Sequence, residues 1–243
     1  MKRQNIRKLI LIVSLLLFPV TLNFFSPYLI IQGASEGVVT GSFLLFLTLF
    51  LTSLVFGRAF CGWVCPSGAL QEVLFAVNNR KGPSGKANWI KYLIWLPWIS
   101  AVFGIGLGVA GGFKAVNPLY MTETGISTDE PLKYITYYMV VLIFFALSVF
   151  FGRRAGCHTI CWMAPFMVIG TKIQQWLRLP VLHLAPNPSA CTHCLTCTRH
   201  CPMSLGVHEM VQKGDMRNAE CILCGECADG CTHNAIRLTW KKS

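Results

Sequence analysis

The chain has 243 residues, a formal net charge of +11 and 53% hydrophobic residues. Its mean hydropathy of +0.53 is too high for an ordinary soluble protein, so a membrane protein is favoured. The net charge raises nucleic acid as a partner, but the basic residues follow a membrane topology, and we predict no nucleic-acid partner.

Four apolar stretches are long enough to cross about 30 Å of hydrocarbon. The second reaches this length only when Val38–Thr40 are added to it. Prolines inside these stretches kink a membrane helix without abolishing it. We therefore predict four transmembrane helices, over Leu9–Ile31, Gly41–Phe56, Trp89–Gly111 and Tyr134–Phe151.

The first stretch follows four basic residues and so resembles a signal peptide. Its apolar run exceeds a normal signal core, and Gly33–Ser35 form only a weak cleavage site. We expect an uncleaved helix.

Lysine and arginine orient the four helices. Nineteen of them lie in the N-terminus, in the segment Arg58–Lys91 and from Arg153 onward, whereas the two opposite loops carry only Lys114 and Lys133. Because cytoplasmic loops are enriched in these residues, we predict a multi-pass protein of a prokaryotic cell membrane, with both termini in the cytoplasm.

The membrane part contains two similar segments. Val55–Leu70 and Phe150–Phe166 each run from a helix end through Phe-Gly-Arg to a C-x3-C pair, which predicts a duplicated hairpin. Amphipathic stretches after each pair, Gly68–Val77 and Phe166–Leu179, predict two interfacial helices. Gly104, Gly108 and Gly112 predict a close-packing helix face.

Eight cysteines near the C-terminus form two C-x2-C-x2-C-x3-C runs, the spacing of two-cluster bacterial ferredoxins. In that arrangement the fourth cysteine of each run ligates the other cluster, and zinc or disulfides fit the spacing less well. Nearby histidines, namely His193, His200, His208 and His233, are interpreted as solvated or as tuning the potential. We predict one [4Fe–4S] cluster on Cys191, Cys194, Cys197 and Cys231 and a second on Cys221, Cys224, Cys227 and Cys201.

The other four cysteines form the pairs Cys61/Cys65 and Cys157/Cys161. A C-x3-C pair on a helix places both sulfurs on one face, and the repeat predicts that the pairs converge. The alternatives, in order, are a third [4Fe–4S] cluster, redox-active dithiols and a structural metal. Arg58, Arg153 and Arg154 either offset the charge of such a centre or anchor helix ends, and His158 either tunes it or lies at the headgroup level.

The predicted spans contain neither histidine nor acidic residues, which excludes a bis-histidine haem between them and leaves no carrier for a proton relay. Pro180 to Pro188 is interpreted as a linker. The predicted fold is an α-helical membrane protein, with a four-helix bundle over residues 1–184 and a small α+β two-cluster domain over residues 185–243.

The segment CGWVCPSGAL, the second C-x3-C pair and the double cysteine run together resemble the NapH/NosR/MauN-type membrane-bound ferredoxins over nearly the whole chain. The resemblance implies electron transfer between a cytoplasmic donor or quinol and a partner. A relative that reduces copper during cytochrome oxidase assembly shares the first motif. Trp162, where the family motif has proline, departs from the pattern.

Three functions follow. The leading one is a membrane-anchored electron-transfer protein, more an electron-transfer subunit than a stand-alone enzyme, that carries electrons from a cytoplasmic donor through [4Fe–4S] clusters to the juxtamembrane cysteine centre. Its acceptor is a membrane or exported redox protein, or a quinone. The alternative is a thiol-disulfide or copper reductase that uses the C-x3-C pairs, and the third is a docking scaffold.

Overall fold

The computed structural model describes residues 2–83, 85–122, 125–177 and 180–242. Most of these residues are helical, and two small two-stranded sheets complete the described fold.

The first apolar stretch is broken into several helices. Helix α1 (Lys2–Leu16) is followed by α2 (Phe18–Thr21), a 3-10 turn (Leu22–Phe25) and α3 (Pro27–Ser35), with a bend of 62° after α1. Proline lies in the first turn of both α2 and α3, where its missing N–H is tolerated. Leu9–Ile31 is therefore not one continuous helix, because the prolines start new helices, and the first span stays a prediction.

The remaining apolar stretches form helices α4 (Gly41–Phe56), α7 (Ile90–Gly108) and α8 (Lys133–Phe151). Within the described residues, two helices are long and apolar enough to cross a membrane, Ala87–Gly108 and Lys133–Phe151, or three if the bent pair forms one span. Helix α4 is shorter than these two. The four-helix bundle as a whole stays a prediction.

Two helices begin within each of the two similar segments: α5 (Ala59–Trp63) and α6 (Pro66–Val73) in the first, α9 (Ala155–Thr159) and α10 (Ala164–Leu177) in the second. Helices α6 and α10 coincide with the predicted amphipathic stretches, although both begin earlier. Arg178 and Leu179, at the end of the second predicted stretch, lie outside the described residues. The position of these helices at a membrane surface stays a prediction.

Two details of the membrane part differ from expectation. Val38–Thr40 extends no helix but forms strand β1, parallel to β2 (Ala115–Asn117). Added Cβ atoms at Gly104, Gly108 and Gly112 would meet nothing within 4 Å. The prediction of a close-packing glycine face is therefore wrong within this chain.

The C-terminal domain is closed by an antiparallel pair, β3 (Pro180–Pro186) with β4 (Ile236–Lys242). The stretch interpreted as a linker is therefore mostly a strand, while the boundary at residue 185 stays a prediction. The sheet's buried Leu184 and Ile236 line cavities that the cysteine runs also line. Three short helices, α11 (Thr196–Arg199), α12 (Val207–Gln212) and α13 (Glu226–Asp229), complete the domain.

Candidate metal centres

The two cysteine runs of the C-terminal domain have the same backbone. Positions 30 residues apart share left-handed φ values: 57° at His193 and 47° at Leu223, then 59° at Leu195 and 75° at Gly225. Left-handed residues reverse the chain between successive cysteines. Each run therefore wraps as a loop, with its third cysteine on a short helix, α11 or α13.

The structure brings the cysteines together in the crossed combination predicted from the spacing. One cavity is lined by three cysteines of the second run and the fourth of the first, whereas another is lined by the opposite combination. No described group of three or more His, Cys, Asp or Glu side chains is arranged to hold a single metal ion. The two sets are Cys201, Cys221, Cys224 and Cys227 around one cavity, and Cys191, Cys194, Cys197 and Cys231 around the other.

The two sets differ in burial. Cys194 is exposed, whereas Cys201, Cys224 and Cys227 are buried. Burial raises the pKa of the Cys224 thiol to about 12. Four thiolates at the buried set therefore need a positively charged partner, which iron supplies. The four cysteine donors that line each cavity fit an iron–sulfur cluster.

The histidines near the runs lie at the surface. His193 and His200 are exposed, and His193 Nδ1 lies 3.0 Å from His208 Nε2. His208 and His233 line the cavity of the exposed set beside its four cysteines.

The duplication in the membrane part extends to individual hydrogen bonds. Gly57 and Gly152 end α4 and α8 with φ of 53° and 89°, and each donates its N–H to a serine carbonyl four residues earlier. Cys65 N–H donates to Phe60 O at 3.0 Å, and Cys161 N–H donates to Gly156 O at 3.0 Å. These bonds end α5 and α9 before the second cysteine, so the prediction of both cysteines on one helix is wrong.

The two C-x3-C pairs nevertheless converge, as predicted. Arg154 Nη1 of the second segment donates to the carbonyl of Cys61 in the first at 2.6 Å. Gln71 reaches in the other direction, with its Nε2 3.3 Å from Cys157 Sγ and its Oε1 accepting from Gly156 N–H at 2.9 Å. All four thiols, those of Cys61, Cys65, Cys157 and Cys161, are at most 5% exposed.

Two fully buried arginines flank these thiols. Arg58 and Arg154 each lie three residues before the first cysteine of a pair, and both are 0% exposed. Arg58 pairs with Glu220, and Arg154 Nη2 pairs with Glu72 Oε1 at 2.6 Å. Arg153 is half-buried, so it is Arg154 and not Arg153 that corresponds to Arg58.

The guanidinium groups are not fully satisfied by the protein. Within the part of the chain that the structure describes, Nε and Nη2 of Arg58 and Nε of Arg154 are buried without a hydrogen-bond partner. An unpaired buried N–H is costly, so each such donor calls for an acceptor. Acceptors on an anionic centre held by the four thiols would satisfy them, and the site therefore fits a thiolate-ligated iron–sulfur cluster.

The pKa shifts at the two C-x3-C pairs also fit an anionic centre held by the four thiols. Burial, together with the neighbouring thiols, raises the pKa of Cys65 well above its usual value and that of Cys161 to about 12. Burial alone would lower the pKa of Arg58, but Cys61 and Glu220 raise it above its ordinary value. His158 is buried and is therefore not a surface histidine, and burial together with Arg58 lowers its pKa to about 4.

The sequence did not predict a role at this site for four polar residues, Gln71, Glu72, Lys91 and Glu220. Lys91 Nζ lies 2.6 Å from Glu220 Oε1, and Glu72 also pairs with Arg7 at 2.9 Å. Each is a single polar residue in an ordinary-looking segment. The only signal was that Glu220 directly precedes Cys221.

The buried ferredoxin-type set touches the membrane pairs directly. Trp63 Nε1 donates to Leu223 O at 3.1 Å, and a Cβ at Gly62 would collide with the Ile222 carbonyl. Gly62 and Trp63 lie between Cys61 and Cys65, while Ile222 and Leu223 lie between Cys221 and Cys224. The loops that carry the two cysteine sets are therefore packed backbone to backbone.

Helix α1 holds the two parts together. Arg3 Nη2 pairs with Asp229 Oδ1 at 2.6 Å, and Gln4 Nε2 donates to Cys224 O at 2.9 Å. Arg7 bridges the parts, since it bonds both Gly62 O at 3.1 Å and Glu226 Oε2 at 3.3 Å.

Family models match three ranges of this chain, and these ranges contain all twelve cysteines. A 4Fe-4S binding domain model matches residues 38–84 and again residues 135–180, so each match contains one C-x3-C pair. A 4Fe-4S dicluster domain model matches residues 190–236, which contain both cysteine runs. The repeated match supports the duplication.

Individual relatives are distant but cover most of the chain. An uncharacterized protein of Methanocaldococcus jannaschii is 25% identical over 80% of this chain and 77% of its own length. The putative electron transport protein YccM of Escherichia coli is 22% identical over 84% of this chain, which spans only 57% of YccM. The methylamine utilization ferredoxin-type protein MauN of Paracoccus denitrificans is 25% identical, over 83% of this chain and 68% of MauN. No solved structure was found to be similar to this chain.

Proposed function

We propose that this chain, a relative of the ferredoxin-type 4Fe-4S electron-transport proteins, carries electrons from a cytoplasmic donor to a juxtamembrane centre held by Cys61, Cys65, Cys157 and Cys161. From this centre they pass to a membrane or exported acceptor. When bound, [4Fe–4S] clusters accept and release single electrons. The observation that carries the proposal is the packing of the Cys61–Cys65 loop against the Cys221–Cys224 loop, through Gly62 and Ile222.

The three cysteine sets form a series. The set with the exposed Cys194 meets solvent, the set of Cys201 and Cys224 is buried behind it, and the C-x3-C pairs lie beyond. A soluble donor reaches the first set without entering the protein. Burial of the last set keeps water away from its thiols and strengthens their interaction with Arg58 and Arg154.

The buried arginines supply the charge that such a centre requires. A cluster with four thiolate ligands is anionic, and burying it without cations would be costly. Arg58 and Arg154 hold their positive charges beside the thiols because Glu220 and Glu72 fix the opposite end of each guanidinium. The nitrogens left without a partner are the natural donors to the centre.

The orientation of the chain is part of this proposal. We propose that both termini lie in the cytoplasm, as the distribution of lysine and arginine favours. The ion pair of Arg3 with Asp229 supports the placement of both termini on the same side, because it joins the start of the first helix to the C-terminal domain.

A quinone belongs among the candidate acceptors. An apolar cavity of about 310 Å³ between α4, α7 and α10 is lined by aromatic side chains that include Trp95, Trp98 and Phe166. Phe166 precedes Met167, whose sulfur lies 3.9 Å from Cys61 Sγ. A lipid-soluble ring in this cavity would lie close to the juxtamembrane centre.

The alternative of a thiol-disulfide or copper reductase fits the geometry less well. Reactive cysteines are partly exposed and have a lowered pKa. The four thiols here are buried, and the pKa values of Cys65 and Cys161 are raised.

Iron stoichiometry tests the proposal. The full chain, purified anaerobically, should hold about twelve iron atoms, and the C61S/C157S variant about eight, with the signals of the two other clusters unchanged in electron paramagnetic resonance (EPR). The control is Ser67→Ala, a buried residue of α6 near the pairs. Wild-type protein without iron would refute the function, whereas unchanged iron in C61S/C157S with loss of disulfide or copper reduction would favour the reductase.

A further inference from the structure

A cavity of about 400 Å³ lies where α1, α6 and the C-terminal domain meet. Arg7 and Lys8 line it from α1, Val73 from α6, Arg153 from the second repeat and Pro202 from the C-terminal domain. None of the described residues that line this junction cavity is a cysteine. The cavity is therefore separate from the three cysteine sets.

The junction cavity carries positive charge that the protein does not neutralise. Its two carboxylates, Glu72 and Glu226, are both paired with Arg7. Among the described residues, Lys8 has no hydrogen bond or ion pair. Arg153 donates hydrogen bonds to the Asn79 side chain and to the carbonyls of Arg199 and Cys201, and it lies over the Phe75 ring at 5.7 Å. Two cations without a carboxylate partner thus line one cavity.

One wall of the junction cavity is apolar and exposed at the outer surface of α1 and α6. Ile12 is 47% exposed and Val73 is 57% exposed, and both line the cavity. Helix α1 continues with the exposed Leu9 and Leu16 and belongs to the bent pair that could form a span. Cations beside an exposed apolar wall at the end of a candidate membrane helix match an anionic lipid, with its phosphate at the charges and an acyl chain on the wall.

We propose that the junction cavity binds an anionic phospholipid, whose phosphate contacts Lys8 and Arg153 and whose acyl chain packs on Ile12 and Val73. Charge-assisted bonds from both cations hold the phosphate. Because the cavity is built from the first helix, the second repeat and the C-terminal domain, the lipid fastens the C-terminal domain to the membrane part.

Lipid binding to the full, iron-loaded chain tests the proposal. Native mass spectrometry of protein titrated with phosphatidylglycerol or phosphatidylcholine gives an affinity for each lipid. Because K8Q/R153Q lacks both cations that contact the phosphate, it should bind phosphatidylglycerol at least roughly tenfold more weakly than wild type. The matched control R80Q/K172Q removes two exposed charges that do not line the cavity and should bind like wild type.

Three results would overturn the proposal: equal wild-type affinity for the two lipids, unchanged affinity in K8Q/R153Q, or the same loss in R80Q/K172Q. Inorganic phosphate distinguishes the source of the anion. We expect it neither to displace phosphatidylglycerol nor to raise the unfolding temperature, and stabilisation by phosphate equal to that by the lipid would assign the cavity to a free anion. If K8Q/R153Q does not fold, the wild type alone tests the proposal. A preference for phosphatidylglycerol over phosphatidylcholine supports it, and equal affinity refutes it.

Discussion

Arg58 pairs with Glu220 across 162 residues of sequence, and the pair joins two cysteine motifs. Arg58 lies three residues before Cys61, and Glu220 lies immediately before Cys221. Lys91 binds the same carboxylate at 2.6 Å, so Glu220 lies between two cations. The charge beside the membrane cysteines is thus held by the segment that begins the second ferredoxin-type run.

Replacing Arg58 by Gln should lower the reduction potential of the juxtamembrane centre. Reduction adds negative charge, and the variant lacks a buried cation that would stabilise it. Potentiometric titration followed by EPR measures the shift, and Arg80→Gln is the exposed control. A potential equal to that of the wild type would contradict the role given to Arg58.

Single serine variants should reveal the crossed ligation. We expect Cys231→Ser to remove the cluster of the exposed set, and Cys201→Ser to remove the cluster of the buried set, because each residue lines the cavity of the other run. EPR spectra of the two reduced variants should therefore differ. If Cys231→Ser instead abolishes the cluster of Cys221, Cys224 and Cys227, the crossed assignment is wrong.

Gly62→Ala should separate the Cys61–Cys65 loop from the Cys221–Cys224 loop. A Cβ at Gly62 would collide with the Ile222 carbonyl, so the backbone of one loop must move. We expect slower electron transfer from the C-terminal clusters to the juxtamembrane centre, measured by freeze-quench EPR after rapid reduction.

The control for that variant is Gly108→Ala, where an added Cβ meets nothing within 4 Å. Alanine favours a helix over glycine by about 1 kcal/mol, and both positions are helical. Loss of transfer in both variants, or in neither, would argue against the Gly62 contact as the route.

Glu72→Gln should change how stability depends on pH. Burial alone would raise the pKa of Glu72, but Arg154 and Arg7 lower it below 4.5. A lowered pKa in the folded state contributes stability that is present above about pH 4.5 and is lost as the pH falls through the folded-state value. Wild type should therefore exceed the variant by roughly 3 kcal/mol at pH 7, and by less below pH 4.5.

Denaturant unfolding across this pH range measures the difference, with the exposed Glu209→Gln as the control. A gap between wild type and Glu72→Gln that stays constant down to pH 3 would show that the carboxylate does not act through its charge.

The elements that the sequence predicts correctly are those that depend on a local pattern of residue types. Helices α7 and α8 follow from continuous apolar runs, and Pro97 does not end α7. The break of the first stretch depends on Pro19 and Pro27 starting helices, which the hydropathy of the run does not reveal. Strand β3 was missed because the prolines at its two ends are typical of a linker.

The candidate site likewise contains some features that the local sequence predicts and others that it does not. The cysteine sets follow from spacing, because three ligands of each ferredoxin-type cluster lie within one loop. The carboxylates of Glu72 and Glu220 could not be predicted, since their partners Arg154 and Arg58 lie 82 and 162 residues away. The burial of Arg58 and Arg154 depends on that pairing, and a basic residue at a helix end gives no sign of it.

The pairing of α1 with the C-terminal domain has a consequence for biosynthesis. Arg3 and Arg7 are synthesised before Asp229 and Glu226, which emerge from the ribosome more than 200 residues later. During translation these arginines are therefore free of those partners and available to the insertion machinery that reads positive charge. We expect the membrane helices to be inserted before the docking surface exists, so that the C-terminal domain, which follows them in sequence, closes over helices that are already in place.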